Sequence, residues 1–358
     1  METSEIKFRL ATQADNDGIL RLMHSIVMPG DIELIYMKSP DFFKAVTTQG
    51  KTQQVLVACR EDGEIVATGV RALRRATVNG EAQTIGYLGE LRIAPEARHL
   101  RVLFNGYKAM KALMTDGQSL LHITTIVEGN RNAKVALTWK NKYSTIPNYV
   151  DLGLLKTYFI FPFLWKRRCK YDIEHGSLAN LDAIVDFIAA KAKERQFYPV
   201  YTREEFLALP DFHIADFHVV REGGSIVGVG ALWNQTGFKQ MLVNKYNGTM
   251  KLLKMLFSRF LPDEGEVIAN ACLSFVAIQD DRAEVLEALL AHIYNDLRKT
   301  KVHYFMVCLH ERDPLNAAVR HFPKLTYRSR LYAADYADEK AIRSRIDNRV
   351  PYVEVATL

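Results

Sequence analysis

Two stretches of this chain carry one pattern. Val57-Ala-Cys-Arg60-Glu-Asp-Gly63-Glu-Ile65-Val66-Ala-Thr-Gly69 returns 161 positions later as His218-Val-Val-Arg221-Glu-Gly-Gly224-Ser-Ile226-Val227-Gly-Val-Gly230. Each is an apolar run, a tight Asp-Gly or Gly-Gly turn and a second apolar run, which predicts a hairpin. Upstream, Lys7-Phe-Arg-Leu10 matches Lys170-Tyr-Asp-Ile173. Ala14-Asp-Asn-Asp-Gly-Ile19-Leu20-Arg-Leu22-Met23 likewise matches Ala179-Asn-Leu-Asp-Ala-Ile184-Val185-Asp-Phe187-Ile188. A strand, helix and hairpin recurring at domain length predict two tandem copies of one α/β domain, residues 1–165 and 166–358.

Bulk properties narrow the chemistry only a little. At 358 residues the chain can fill two cores, and 48% hydrophobic with 25% charged residues excludes a disordered or fibrous protein. A net charge of +6 favours anionic ligands without selecting one. Cys59, Cys169, Cys272 and Cys308 form no CxxC pair, and three lie in apolar runs where a thiol acts as a small buried hydrophobe. With no signal-peptide pattern at Met-Glu-Thr-Ser-Glu, a reducing, cytoplasmic protein is expected. Leu154 to Trp165 is too short and interrupted to span a bilayer, so it reads as a buried strand. Lys166-Arg-Arg-Cys-Lys170 reads as a solvated linker, with a nuclear signal or nucleic-acid arm as the other reading. No basic stripe with interleaved aromatics is present, so no nucleic-acid partner is expected. HExxH, GxSxG and Walker motifs are absent, the histidines look scattered, and His310-Glu311 supplies too few ligands; no metal is expected.

Along the first copy, a strand over residues 5–10 precedes the capping-box pattern Thr12-Gln-Ala-Asp15 and a helix ended by Pro29-Gly30. A second helix is predicted from Pro40 to Thr48. Strands follow near 54–60, 65–78 and 82–93, joined by Asp62-Gly63 and Asn79-Gly80. Then come a helix over Leu100–Met114, a strand over Leu120–Val127, a helix over Asn132–Lys140 and a strand region from Tyr149 to Phe163. The second copy is expected to place a strand at 170–174, a helix at 179–194 and a hairpin over 216–234. A strand at 267–278, a helix at 282–299 and a strand at 302–309 complete it.

The stretch Tyr87-Leu-Gly-Glu90-Leu91-Arg92-Ile93-Ala-Pro95-Glu-Ala-Arg98-His99-Leu100-Arg101-Val102-Leu103 is an apolar strand, a Pro-containing turn and an Arg-led helix start. Asn130-Arg-Asn-Ala133-Lys-Val-Ala136 places an Asn after a strand and before an alanine-containing helix. These motifs and the order of elements resemble the GCN5-related N-acetyltransferase superfamily, in two tandem copies spanning essentially the whole chain. The resemblance implies a mixed α+β sheet and an acyl-CoA, acetyl-CoA or another, bound at Leu91, Arg92, Ile93, Arg98, His99, Leu100, Arg101, Val102, Leu103 and Asn130. A helix start attracts a pyrophosphate through its unpaired N–H groups and partial positive charge. The superfamily loop, Arg/Gln-x-x-Gly-x-Gly/Ala, uses small residues to let the phosphate approach the backbone. Here Arg101 and Leu103 stand at those small positions, so Arg98 and Arg101 either supply charge to phosphates or form a solvated helix start. In the second copy the matching stretch, Ala277 to Glu284, has no glycine and three carboxylates, which repel a pyrophosphate; this copy reads as scaffold or substrate side.

The resemblance also implies an N-acyltransferase acting on a small-molecule or peptide amine. Glu90 stands where the superfamily often places its base, and it reads equally as a structural partner of Arg92. The usual acid position, seven residues after Asn130, holds Leu137, leaving Tyr143 as the nearest candidate to protonate the thiolate. A degenerate pair that binds a ligand without turnover is the second reading. The third rests on Lys245–Phe260, where Met250, Leu253, Phe257 and Phe260 can share one helical face. That segment reads as a helix docked on the protein, a groove for an extended or acylated substrate, or a membrane-surface or partner-binding element without stable insertion.

Overall fold

The computed structural model describes residues 6–98, 100–130, 145–163, 165–256 and 261–358. Strand β1 (Lys7–Leu10) leads through a turn in which Asp15 Oδ2 accepts from the Thr12 amide at 2.8 Å into α1 (Asn16–His24). A small hairpin, β2 (Val27–Met28) and β3 (Ile32–Met37), precedes α2 (Phe42–Val46). The meander β4 (Thr52–Cys59), β5 (Ile65–Val78) and β6 (Glu81–Ile93) follows, then α3 (Leu100–Met114), β7 (His122–Val127) and β8 (Asn148–Ile160). The second half opens with β9 (Asp172–His175), α4 (Leu181–Ala192), β10 (Arg195–Gln196) and α5 (Arg203–Leu207). It continues through β11 (Phe217–Glu222), β12 (Ser225–Trp233), β13 (Gln240–Tyr246) and α6 (Gly248–Leu256). It ends with β14 (Asn270–Ile278), α7 (Ala283–Leu297), β15 (Tyr304–His310), β16 (Lys324–Asp335), α8 (Glu339–Ser344) and β17 (Val350–Pro351).

Twelve strands form one mixed sheet in the order β1-β4-β5-β6-β7-β16-β8-β15-β14-β12-β11-β9. Read inward from either edge, the order is the same. Two antiparallel pairings lead to a third, then to a parallel pair, β6 with β7 or β14 with β15. The last strand of each half is then exchanged: β7 pairs with β16 and β15 with β8, while β8 and β16 pair along the middle. Both halves therefore share one ladder of hydrogen bonds. Cys59, Cys272 and Cys308 are buried in strands and Cys169 is exposed.

Two expectations need correction. Pro29-Gly30 does not stop α1, which has already ended at His24; it forms the turn between β2 and β3. The Lys245–Phe260 segment, read as a helix, begins instead as the end of a strand: Lys245 and Tyr246 belong to β13, because β3 of the other half supplies its partner from Gln240–Met37 to Tyr246–Ile32. The helix expected over Asn132–Lys140 lies outside the described residues.

Candidate functional site

β6 breaks its regular pairing at one place. Val70 lies opposite Gly89 and Thr68 opposite Arg92, so Gly69 alone faces both Glu90 and Leu91, which makes a β-bulge. Glu90 takes a φ of 52° there, in the left-handed region that side-chain-bearing residues seldom occupy. The second half repeats the device. Gly230 alone faces Phe275 and Val276, and Phe275 has a φ of 55°. Such a conformation costs about 1–3 kcal/mol and persists only where the surroundings over-determine it.

The surroundings of the two bulges differ. In the second half the Phe275 N–H donates to Glu354 Oε2 at 2.7 Å, and the Val276 N–H donates to the Tyr352 hydroxyl at 3.2 Å. The same hydroxyl donates to Glu354 Oε2 at 2.7 Å, and Glu354 is wholly buried. A Cβ built on Gly230 would meet Leu273 at 2.9 Å and Leu289 at 3.0 Å, so this bulge is packed shut. In the first half no described side chain accepts from the Glu90 or Leu91 N–H. A Cβ on Gly69 would meet nothing nearer than Met110 Cε, at 4.0 Å.

The Glu90 carboxylate is 5% exposed and paired on one side. Its Oε1 accepts from Lys38 Nζ at 3.0 Å and from Gln49 Nε2 at 3.1 Å, while Arg92 stands 3.8 Å from Oε2. Glu90 Oε2 and Gln49 Oε1 are buried and accept no hydrogen bond. Tyr36 lies against both cations, its ring centroid 5.2 Å from the Arg92 guanidinium and 5.9 Å from Lys38 Nζ. Lys239, beside β13, donates to the Ala356 carbonyl at 3.3 Å and to the Leu358 carbonyl, which Tyr36 also reaches at 3.5 Å. Segments from both halves thus converge on one bulge.

These neighbours set the charges. Burial by itself raises the Glu90 carboxyl, but Lys38 and then Arg92 outweigh it and hold the group below the usual carboxylate range. Burial draws Lys38 below the ordinary lysine value against the opposing pull of Glu90. Lys239 is pushed down to about 8, first by burial and then by the Lys38 charge.

On the other side of the strand, β6 and β7 pair only at Gly86–His122 and Tyr87–Ile123, and Thr124 Oγ1 then reaches the Leu88 carbonyl at 2.7 Å. Leu91 is exposed, and Ile93 packs with Leu103, Ile126 and Tyr332 where β6 and β7 part. Arg98 is exposed and its Nε donates to the Ile93 carbonyl at 3.1 Å, tying the turn to the end of β6. Leu100 opens α3 and Arg101 is exposed beside it. The Val102 and Leu103 side chains are buried in the core, so only their main chain can meet a ligand. Asn130 is on the exposed turn after β7. His99 and Tyr143 lie outside the described residues. At the matching helix start of the second half, Arg282 is held by Glu222 at 2.7 Å and Glu284 at 2.8 Å.

Sequence reasoning singled out Glu90 and Arg92, which the structure places 3.8 Å apart, but not their neighbours Tyr36, Lys38, Gln49 and Lys239, nor Tyr352 and Glu354 at the second bulge. A lone lysine or glutamine carries no motif, and the pairing with Lys38 spans 52 positions. In α6, Met250 packs inward while Leu252 and Met255 are exposed; Phe257 and Phe260 lie outside the described residues. The helices among the described residues include none long and apolar enough to cross a membrane. One further expectation fails: the histidines are not all scattered, because His175, His218 and His292 converge.

No family model matches the chain, and no curated protein matches it by sequence. Solved structures do match. The GCN5-related glucosamine N-acetyltransferase region of a fungal multi-domain GH3 β-N-acetylglucosaminidase aligns with a TM-score of 0.62 at 13% identity, over 93% of this chain and 38% of that one. Saccharomyces cerevisiae N-myristoyltransferase with bound myristoyl-CoA aligns at 0.61 and 11% identity, over 93% of this chain and 83% of that one. A GCN5-related N-acetyltransferase from Sphaerobacter thermophilus aligns at 0.57 and 12% identity, over 99% and 98%. The chain has the fold of the GCN5-related N-acetyltransferases and N-myristoyltransferases.

Proposed function

We propose that this protein is an acyl-CoA-dependent N-acyltransferase working at the first-half bulge, and that the second half is a tandem copy closed to that chemistry. The observation that carries the reading is the contrast between equivalent bulges. One has its N–H groups capped by Glu354 and Tyr352. The other has no cap from a described side chain and places beside it two buried acceptors without a hydrogen bond, Glu90 Oε2, 3.8 Å from Arg92, and Gln49 Oε1. An ammonium brings three donors and no acceptor, so a primary amine is the group those oxygens suit.

The acyl-CoA supplies the thioester carbon. Main-chain N–H groups at Glu90 and Leu91 would polarise its carbonyl, and Glu90, kept ionised by Lys38, would orient the amine and take its proton as the C–N bond forms. The C–S bond then breaks and the thiolate leaves, with Tyr143 the candidate to protonate it. Arg98 and Arg101 would meet the CoA phosphates. At 5% exposure Glu90 is reached by an acceptor amine only when the side chains around it open. The acceptor class is a small-molecule or peptide amine.

A screen of acetyl-CoA and longer acyl-CoAs against amines and peptides, read by thiol release, tests this. Glu90→Gln should lower turnover about 10²–10⁴-fold with acyl-CoA affinity unchanged. The loss should be largest at pH values where the acceptor is still an ammonium. Normal turnover across pH would remove Glu90 from the reaction. The second reading, binding without turnover, is favoured by Arg101 and Leu103 in the phosphate turn. It predicts binding of an acyl or amine ligand by calorimetry with no thiol release from any acceptor.

A further inference from the structure

The geometry points to a transition-metal site of the zinc class at His175, His218 and His292, at the sheet edge opposite β1. His175 and His218 are directly opposite one another across β9 and β11, so their side chains share a face. His292 reaches them from α7, with ring centroids 6.2 Å from His175 and 5.4 Å from His218; the first two rings are 4.7 Å apart. One ring nitrogen from each lies within 4.8 Å of the others. Bonds of about 2.0–2.1 Å to a tetrahedral zinc place ligand nitrogens about 3.4 Å apart, so modest ring rotation closes the set.

Three features suit these rings to a metal. His175 Nδ1 lies 2.8 Å from the Ala215 carbonyl, which can only accept, so Nδ1 keeps the proton and Nε2 keeps a free lone pair. A backbone partner of this kind is how metal-bound imidazoles are usually oriented. His218 Nδ1 and His292 Nε2 are buried and have no hydrogen-bond partner. Asp296 Oδ2 stands 3.3 Å from His292 Nε2 but lies outside the three-histidine group, so a solvent molecule would complete a tetrahedral set. His175 is exposed and provides the entry path.

The site belongs to the second half alone. The repeat aligns Val57 with His218, and Arg9 lies opposite Val57 across β1 and β4. A bound ion would fasten edge strand β9 to α7, at a place remote from the Glu90 bulge and independent of the acyl-transfer reading.

The test uses the full chain without a polyhistidine tag, dialysed against chelator and titrated with Co²⁺ and, by calorimetry, Zn²⁺. One ion per chain should bind, with visible Co²⁺ absorption and a higher melting temperature. His218→Val adopts the side chain of the matching first-half position, and His175→Ala alters an exposed residue should the buried variant not fold. Each should weaken binding by at least the roughly 10–100-fold that loss of a second-shell partner costs. His213→Ala, outside the cluster, should bind as the unaltered chain does. Failure to saturate by about 1 mM metal, a weak limit of about −4 kcal/mol, would overturn the site. So would undiminished affinity in a folded His175→Ala or His218→Val, or a loss confined to His213→Ala.

Discussion

Replacing Lys38 tests the charge arrangement at the bulge most directly. Lys38 is 1% exposed and Glu90 5%, so Lys38→Met leaves a buried carboxylate with one Gln49 hydrogen bond and Arg92 at 3.8 Å. Breaking one side of a buried pair costs about 3–5 kcal/mol, and the remaining Gln49 and Arg92 contacts place this case near 3. Glu90→Gln strands the Lys38 ammonium and should cost a similar amount. The double variant leaves neither charge unpaired. It should cost about the same as either single, a coupling of about 2–3 kcal/mol. Urea unfolding at pH 7, followed by the fluorescence of buried Trp233, measures all four corners of the cycle.

The pH dependence has a defined sign. In the unaltered chain Glu90 is depressed, so its contribution is present above the unfolded carboxylate value and is lost as pH falls through the folded one. Without Lys38, the strongest depressing influence is gone and burial raises the group instead. The Lys38→Met deficit should therefore shrink as pH is lowered from neutrality and the stranded carboxylate takes a proton. Single effects that add within about 0.5 kcal/mol would refute the pair as the organising charge of this site, as would a Lys38→Met deficit independent of pH.

Four further outcomes follow from other contacts. Arg98→Ala with Arg101→Ala should weaken acyl-CoA binding by about 1.5–3 kcal/mol per lost charge-assisted contact, read by calorimetry; equal affinity would remove the α3 start from the cofactor site. Gly230→Ala should destabilise by about 1–3 kcal/mol against Leu273 and Leu289. Gly69→Ala, with open space, should gain up to about 1 kcal/mol by thermal unfolding. Asp116→Asn deprives the wholly buried Arg71 of a two-bond carboxylate at 2.7 and 2.9 Å. It should cost about 2–3 kcal/mol at pH 7, on the low side because Asp116 keeps solvent contact. Arg71 holds Asp116 below the usual carboxylate range, so the difference should vanish as pH falls through the folded value.

What the residues alone determined is what depends on neighbours in the chain. The Asp62-Gly63 and Asn79-Gly80 turns and the apolar periodicity placed β4, β5 and β6 to within a residue or two, and placed α3 from Leu100 to Met114. The repeated hairpin identified Gly69 and Gly230 as matching positions, and the fold class followed from the order of elements. Tertiary structure decided the rest, because the deciding contacts join distant segments. β13 is a strand because β3 pairs with it across more than 200 residues. The exchange of β8 and β16 needs both halves folded together. Glu90 acquires Lys38, and Phe275 acquires Glu354, only when packing brings them within hydrogen-bond reach. His175, His218 and His292 have no motif spacing; a strand register and a helix face bring them together, and neither is written in the order of residues.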